Sequence, residues 1–473
     1  MKFDSDVRIL EAEPIIRFEK ARTPLKFGGV IMDAALYFVC RVRVENRQGD
    51  VADGYGGIFL SDVWGWPTPN VAHPVREEAM KRLAEACVKR VAEFKDFAHP
   101  IDIFLDLERE LPAMAQRVCD ELQTAEPMPF LCALISLSAV DAALHDAFGN
   151  VNRVDTYAAY GKEFGPDLRG WMQRTGIKQP ERFAGKYVGD YLRPAYLPEV
   201  PLFHLVGGLD KLTRAEITDD DPQDDLPVSL DDWVKTDGLF CLKVKLRGTD
   251  LAWDLQRMKD VYRIGIENTQ YAIRNTPHAI YLTADTNEMC DTPDYMIELL
   301  TKLREQSPQA FESLLYVEQP THRDLAAHPF DMRALAQIKP VFVDESLTDM
   351  TSFDLAMELS ATGVALKTCK GHSMCLLMVA RCHEENVPYA VQDLTNPSLA
   401  MLHSVGLAAR IHTVMGVESN SRQFFPRASD DVRAVHRDIV DRPNGVAKTH
   451  SLKGCGLGFQ KSSTTTTRRH DGL

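Results

Sequence analysis

Two rhythms of apolar and polar positions divide the chain. Residues 7–18 and 37–45 alternate with a period of two, as strands with one buried face do, and Asn46-Arg47-Gln48-Gly49-Asp50 closes the second as a turn. A Gly- and Trp-rich stretch, residues 54–66, reads as a loop. The period then becomes helical. Val75, Ala79, Leu83, Ala86 and Val91 fall on one face of residues 73–94, and similar patterns cover 101–122 and 130–148. Residues 1–150 are thus expected to form an α+β unit.

From residue 239 onward, short β-rich runs recur at 240–246, 280–284, 314–318, 341–344, 363–367, 389–392 and 413–418, each with a helix-like pattern nearby. Such alternation predicts a parallel sheet with crossover helices. One more strand near 201–206 would complete a (β/α)8-type barrel over residues 151–425, giving an α/β protein with an α+β capping domain in front. Residues 181–202 show no clear pattern. Residues 218–232, crowded with Asp and holding two Pro, predict a surface insertion. Residues 426–473 are expected to be an extension returning in part to the capping domain, with a disordered Ser/Thr-rich end.

Composition narrows the partners. The 473 residues, 45% hydrophobic and 26% charged, can bury a large core. Fifty-four Lys and Arg against 68 Asp and Glu leave a net charge of −14, which argues against nucleic acid or a membrane surface as partner. The longest apolar stretch, 130–144, is interrupted by Asp141 and reads as a buried helix, and the N-terminus lacks a secretory pattern. None of the ten cysteines forms a Cys-x-x-Cys pair, which suits reduced thiols and a cytoplasmic setting.

The chemistry is expected where the strands end. They close on Lys243-Val244-Lys245, Asp285-Thr286-Asn287, Glu318-Gln319-Pro320, Asp344-Glu345-Ser346 and Lys367-Thr368-Cys369-Lys370. In an eight-stranded α/β barrel these C-terminal ends converge on one mouth. Residues two apart on a strand share a face, so Lys243 and Lys245 point together, as do Asp285 and Asn287. Three carboxylates from neighbouring strands make an all-oxygen site that suits Mg²⁺ better than zinc. A single Lys-x-Lys is usually a solvated strand end and a single Glu-Gln-Pro usually a turn; the ordered set of five points to a catalytic mouth.

This set resembles the enolase superfamily, and within its mandelate racemase/muconate lactonizing enzyme group the muconate-lactonizing-enzyme-like subgroup. That subgroup carries Lys-x-Lys, Asp-x-Asn, Glu-Gln-Pro, Asp-Glu-Ser and Lys on its second to sixth barrel strands. Ala142-Ala143-Leu144-His145-Asp146-Ala147-Phe148-Gly149 also resembles its helix between cap and barrel. The resemblance implies removal of the proton α to a carboxylate through an enediolate, a chemistry the superfamily performs with a Lys or His base and Mg²⁺. It implies Asp285, Glu318 and Asp344 as Mg²⁺ ligands and Lys245 and Lys367 as the acid/base pair. Lys243, Asn287, Glu345, Lys370 and Glu418 would support them. The expected reaction is racemisation, epimerisation or cycloisomerisation of a small carboxylate, with a lyase reaction such as acid-sugar dehydration as the alternative. A barrel that binds metal or acid without turnover is a distant third, and a homo-oligomer is expected.

The chain also departs from the pattern. The subgroup's sixth-strand Lys is usually followed by a second Lys and a Gly-Gly pair, but here Lys370 is followed by Gly371-His372. Lys370 therefore competes with Lys367 as acid/base; Lys367, on the strand, is preferred. Specificity is expected from residues 24–29, from 55–66 including Tyr55, and from Gln392, Asp393 and Asn420. Glu418 could meet substrate or form a structural ion pair. Gly454-Cys455-Gly456-Leu457-Gly458 imitates a phosphate loop, but no helix pattern follows it. His322, His328, His372 and His403 lack ligand spacing and read as surface or satisfied core positions.

Overall fold

The computed structural model describes residues 2–27, 30–269 and 278–460; the Ser/Thr-rich end expected to be disordered lies outside the described residues. The capping part is an antiparallel sheet, β1 (Val7–Phe27), β2 (Val30–Asn46) and β3 (Val51–Phe59), in that order. It packs on α2 (His73–Ala92) and α4 (Phe130–Val151), against which α1 (Asp62–Gly65) and α3 (Pro100–Leu122) pack in turn.

β3 corrects the expectation of a loop. Its glycines are there for close approach rather than for a turn. A Cβ on Gly54 would lie 2.2 Å from Ala147 N of α4, and one on Gly56 2.1 Å from Ala139 O. Alternate glycines on the strand thus meet Ala139, Ala143 and Ala147, four apart on the helix. α4 is long and apolar enough to cross a membrane by composition, but 94% of that window is buried in the protein. Its interrupting Asp141 accepts hydrogen bonds from Ser373 N at 2.8 Å and Ser373 Oγ at 2.6 Å.

Eight parallel strands follow: β4 (Glu199–Val206), β5 (Cys241–Lys245), β6 (Tyr281–Asp285), β7 (Leu314–Glu318), β8 (Val341–Val343), β9 (Gly363–Lys367), β10 (Tyr389–Gln392) and β11 (Val417–Glu418). Each pairs with the next, and β11 pairs back to β4, closing the barrel. β5, β6 and β9 are buried along their whole length; β6 and β9 read as largely apolar runs capped by charge, while β5 also buries Lys243 in mid-strand.

One other element differs from expectation. Residues 230–232 of the supposed insertion begin the helix Leu230–Asp237; Asp231 and Asp232 lie in its first turn, where the helix dipole favours acid. The rest, 218–229, folds against the cap: Arg22 of β1 grips Asp224 with two hydrogen bonds of 2.7 Å and also donates to Leu226 O and Pro227 O. After β11 the chain adds β12 (Val446–Lys448) antiparallel to β4 and then reaches α4. There Leu457 N donates to Asp146, and a Cβ on Gly456 would stand 2.3 Å from that carboxylate. The glycine-rich stretch 454–458 is thus shaped by close packing.

Candidate active site

The strand order sets the geometry. Lys245 ends β5 and Lys367 ends β9, four strands apart in a ring of eight, so the two lysines stand across the mouth from one another. Asp285 ends β6, Glu318 ends β7 and Asp344 follows β8, so the three carboxylates lie on the arc between the lysines. All five are buried, and Lys245 is the most exposed of them at 8%.

Lys243 is the hub of the floor. Its Nζ donates to Glu318 at 2.7 Å, Glu418 at 2.9 Å and Gln392 at 3.2 Å, and pairs with Asp285 at 3.0 Å. Burial works against its charge, but these carboxylates outweigh it and hold the ammonium pKa well above that of an ordinary lysine. Lys245 shares the same Asp285 oxygen and donates to Asn287 Oδ1 at 2.8 Å. Burial likewise opposes ionisation of Asp285, yet Lys245 and Lys243 hold its carboxyl below the usual range.

Across the mouth, Lys367 and Lys370 both converge on Asp344, which settles the direction of Lys370. Lys367 Nζ lies 2.7 Å from Asp344 Oδ2; Lys370 Nζ lies 3.0 Å from Oδ1 and 2.5 Å from the Asp344 carbonyl. Burial and Lys243 pull Lys367 toward its neutral form, but Asp344 outweighs both and raises its pKa. Glu345 points elsewhere, accepting from Trp64 Nε1 and Asn287 Nδ2, each at 2.9 Å. Trp64 roofs this side: Lys367 Nζ lies 4.3 Å from its ring centroid.

The remaining expected residues are placed as follows. Gln392 bridges Lys243, Glu318 and the Tyr316 hydroxyl. Both Glu418 oxygens are engaged, one by Lys243 and the other by Asn420 Nδ2 at 2.6 Å, which is the structural ion pair of the two roles considered. Asp393 accepts from Thr395 N and from Asn420; burial and then Glu418 push its carboxyl up to about 7. Tyr55 belongs to β3, not to a lid loop, and its ring meets Phe459 edge-on at 6.1 Å. His372 and His403 are buried, but neither His372 ring nitrogen has a hydrogen-bond partner among the described residues, where a surface or satisfied core position was expected.

Trp64 lies in the 55–66 stretch from which specificity was expected, whose Trp and Tyr residues could be ordinary packing or a lid; two further contributors had little sequence signal as site residues. Gln319, inside the Glu-Gln-Pro run, accepts from Asp344 N and Ser346 N and donates to Ser346 Oγ at 2.7 Å, so one motif aligns the next. Arg323 grips Glu288 and donates to Trp64 O at 2.8 Å, tying the roof to the barrel. Asn287, Glu288 and Gln319 all have positive φ (45°, 64° and 35°), a local cost that clusters at this mouth.

The donor set is one a hard cation would satisfy. The strand ends bury six carboxylates (Asp285, Glu318, Asp344, Glu345, Asp393 and Glu418) against four lysine ammonium groups. Burial, then repulsion from Asp285 and Asp344, drives Glu318 well above the ordinary carboxylate range, and Glu345 is raised for similar reasons. Glu345 Oε2 has no hydrogen-bond partner among the described residues. Buried excess negative charge is relieved by protons or by a cation. Among the described residues no three acidic, His or Cys side chains already stand in a metal-holding arrangement; ammonium groups bridge the carboxylates.

No protein-family model matches the chain, and no curated protein does. Solved structures do, over nearly its full length. A dipeptide epimerase from Enterococcus faecalis V583, complexed with Mg and the dipeptide L-Leu-L-Tyr, is 14% identical with a TM-score of 0.61, covering 96% of this chain and 99% of its own. An N-succinyl Arg/Lys racemase from Bacillus cereus ATCC 14579 is 15% identical with a TM-score of 0.58, covering 96% of each. A muconate lactonizing enzyme from Pseudomonas fluorescens, complexed with muconolactone, is 14% identical with a TM-score of 0.57, covering 97% of each. The capped barrel expected from the strand-end motifs is therefore the fold of this chain, and it is the fold of these epimerases, racemases and lactonizing enzymes.

Proposed function

We propose that this chain is a Mg²⁺-dependent isomerase of the enolase superfamily, in its mandelate racemase/muconate lactonizing enzyme group. It would remove the proton α to a carboxylate of a small organic acid and return a proton in racemisation, epimerisation or cycloisomerisation. The observation that supports this best is the placement of Lys245 and Lys367 on opposite sides of the mouth, with Asp285, Glu318 and Asp344 on the arc between. A substrate α-carbon between the lysines would present one face to each.

Each lysine then has a definable task. A neutral lysine takes the α-proton from its face, and the opposite ammonium delivers a proton to the other, so proton count and charge balance. Asn287 orients Lys245 through its carbonyl oxygen, and Lys370 braces Asp344 beside Lys367. Trp64 keeps water from Lys367. Asp285, Glu318 and Asp344 would hold Mg²⁺, which when bound supplies the positive charge a carboxylate needs as its α-proton leaves. Asp344 keeps Lys367 protonated; with that carboxylate's charge shared, the hold weakens and Lys367 can serve as base.

The test is face-specific hydrogen exchange in D₂O with Mg²⁺ and a panel of chiral carboxylic acids. Lys245→Ala should stop uptake of deuterium into one enantiomer and leave exchange of the other, and Lys367→Ala should do the reverse. Each loss should be about 10²–10⁴-fold. A lyase would lose all exchange in one variant and mainly leaving-group departure in the other. Full exchange of both enantiomers in either variant would remove that lysine from the pair and bring Lys370 or Lys243 forward.

A further inference from the structure

Helix α4 of the cap buries Asp141 and His145 four residues apart on one face, both wholly shielded from solvent. Polar groups so placed need partners. Both meet Ser373, in the first turn of the helix His372–Glu385 that follows the β9 end. Asp141 accepts from Ser373 N at 2.8 Å and from Ser373 Oγ at 2.6 Å. His145 Nε2 lies 2.8 Å from Ser373 Oγ, and the Tyr160 hydroxyl lies 2.7 Å from His145 Nδ1.

These contacts fix the direction of each proton. A carboxylate only accepts, so the Ser373 hydroxyl donates to Asp141. The Ser373 oxygen then takes the His145 Nε2 proton, which leaves His145 Nδ1 to accept from Tyr160. Burial and then Asp141 hold the Tyr160 hydroxyl well above the usual tyrosine range, so it keeps the proton it must donate.

The same turn reaches the candidate active site. Cys375 Sγ donates to Lys367 O at 3.3 Å, and Gly371 N donates to Thr368 O at 3.1 Å, closing the short turn Thr368–Lys370. Gly371 has φ +105°, and a Cβ there would stand 2.7 Å from the Phe104 ring of α3, so the turn is seated on the cap. Lys370, three residues before Ser373, reaches Asp344 beside Lys367. This is the segment in which the chain departs from the subgroup's Gly-Gly pair.

We propose that Tyr160, His145 and Asp141 are positioning residues: through Ser373 they clamp the turn after β9 to the cap and so set Lys370 and Lys367 against Asp344. The proposal rests on the functional reading above and adds residues outside the mouth that govern one face of the reaction. Lys245, across the mouth on β5, is held instead by Asp285 and Asn287.

Reductive methylation of the folded full chain, read by mass spectrometry, tests the clamp without a substrate. Lys370 and Lys243 are both buried, and Lys243 serves as internal control. Ser373→Ala should quicken labelling of Lys370 by roughly tenfold and leave Lys243 unchanged. In the D₂O exchange assay with Mg²⁺, its kcat on the Lys367 face should fall by roughly 10–10²-fold with KM nearly unchanged, while the Lys245 face changes by less than about threefold. Tyr160→Phe keeps the ring and loses only the hydroxyl. It should shift both readouts the same way by roughly threefold, and it carries the test if Ser373→Ala does not fold. Tyr157→Phe should shift neither, since the Tyr157 hydroxyl, in the same aromatic cluster, has no hydrogen-bond partner among the described residues. Unchanged Lys370 labelling, equal labelling of Lys243, equal slowing of both faces, or a Tyr157→Phe effect as large as that of Tyr160→Phe overturns the proposal. Failure of the functional reading looks different: wild type would show no Mg²⁺-dependent exchange on either face, and the labelling would still decide the clamp.

Discussion

The two lysines face each other from unlike surroundings. Lys245 borders an open cavity and, besides the Asp285 oxygen it shares with Lys243, is oriented by a neutral carbonyl, that of Asn287. Lys367 is shut beneath Trp64, shares Asp344 with a second lysine, and neighbours the interlocked polar groups of Asp393, Glu418 and Asn420. One side opens to a cavity; the other holds an ammonium group in a closed, fixed frame. On the proposed function, substrate selection would be built on the β4–β6 side and proton control on the β8–β11 side.

The largest expected effect comes from the carboxylate that anchors the closed side. Asp344→Asn removes a proposed ligand and leaves Lys367 and Lys370 without their shared counter-charge. Mg²⁺ affinity, measured by calorimetry or with Mn²⁺ by electron paramagnetic resonance, should fall by more than about 10²-fold. Glu345→Gln, one residue along but turned toward Trp64 and Asn287, should change it by less than about tenfold. The reverse order would move the metal to Glu345 and undo the comparison.

Trp64→Ala should act next most strongly, and on one face only. It removes the ring over Lys367 and one donor to Glu345, letting water reach the ammonium. Exchange on the Lys367 face should slow by roughly 10–10²-fold, while the Lys245 face changes by less than about threefold. Equal slowing of both faces would show that Trp64 seals the whole mouth rather than one side.

These contrasts explain what was legible in the sequence. Buried parallel strands are mostly apolar and gather charge where they end, so Lys245, Asp285, Glu318, Asp344 and Lys367 marked themselves by position; Lys243, in mid-strand, is tolerated because carboxylates surround it. The roof was legible only as a Trp-rich stretch that could be packing or a lid: Trp64 gains its meaning from Glu345, 281 residues away, and no local pattern carries that pairing. β3 was hidden because Gly54 and Gly56, needed for contact with α4, look like loop residues. The start of the helix Leu230–Asp237 was hidden because Asp at a helix N-terminus and Asp in a solvated insertion read alike.

A smaller effect should appear in the pH dependence of stability. Burial and Glu418 raise Asp393 to about 7 in the folded chain, whereas an unfolded Asp titrates near about 3.9. The folded state thus holds this proton more tightly. As pH rises from about 4 to 7 the unfolded state gives it up first, and stability is lost across that window. Asp393→Asn cannot ionise, and its amide oxygen in the Oδ1 position can still accept from Thr395 N and Asn420 Nδ2, with only the bond from Asn420 N to the other oxygen given up. Its melting temperature should exceed that of wild type by roughly a few degrees at pH 8, with a smaller difference at pH 5. A variant less stable than wild type at both pH values would mean that the carboxylate is needed in its charged form.

The smallest effect concerns the roofing of the open side. Leu209 lines both the cavity beside Lys245 and a second one, of about 420 Å³, between the cap and residues 218–228. Arg22 holds that insertion down with its side chain only 7% exposed, while its partner Asp224 is 45% exposed. Most of the grip therefore comes from the buried guanidinium, through two carboxylate oxygens and two backbone carbonyls. Arg22→Ala should free the insertion without unfolding the barrel. Hydrogen exchange at Leu226 and proteolysis within 218–228 should quicken by roughly three- to tenfold, with the melting temperature nearly unchanged. If the insertion gates the open side, KM should rise for acids long enough to reach Leu209 and stay level for short ones, whereas an equal rise for both would make the clamp a general brace of the cap.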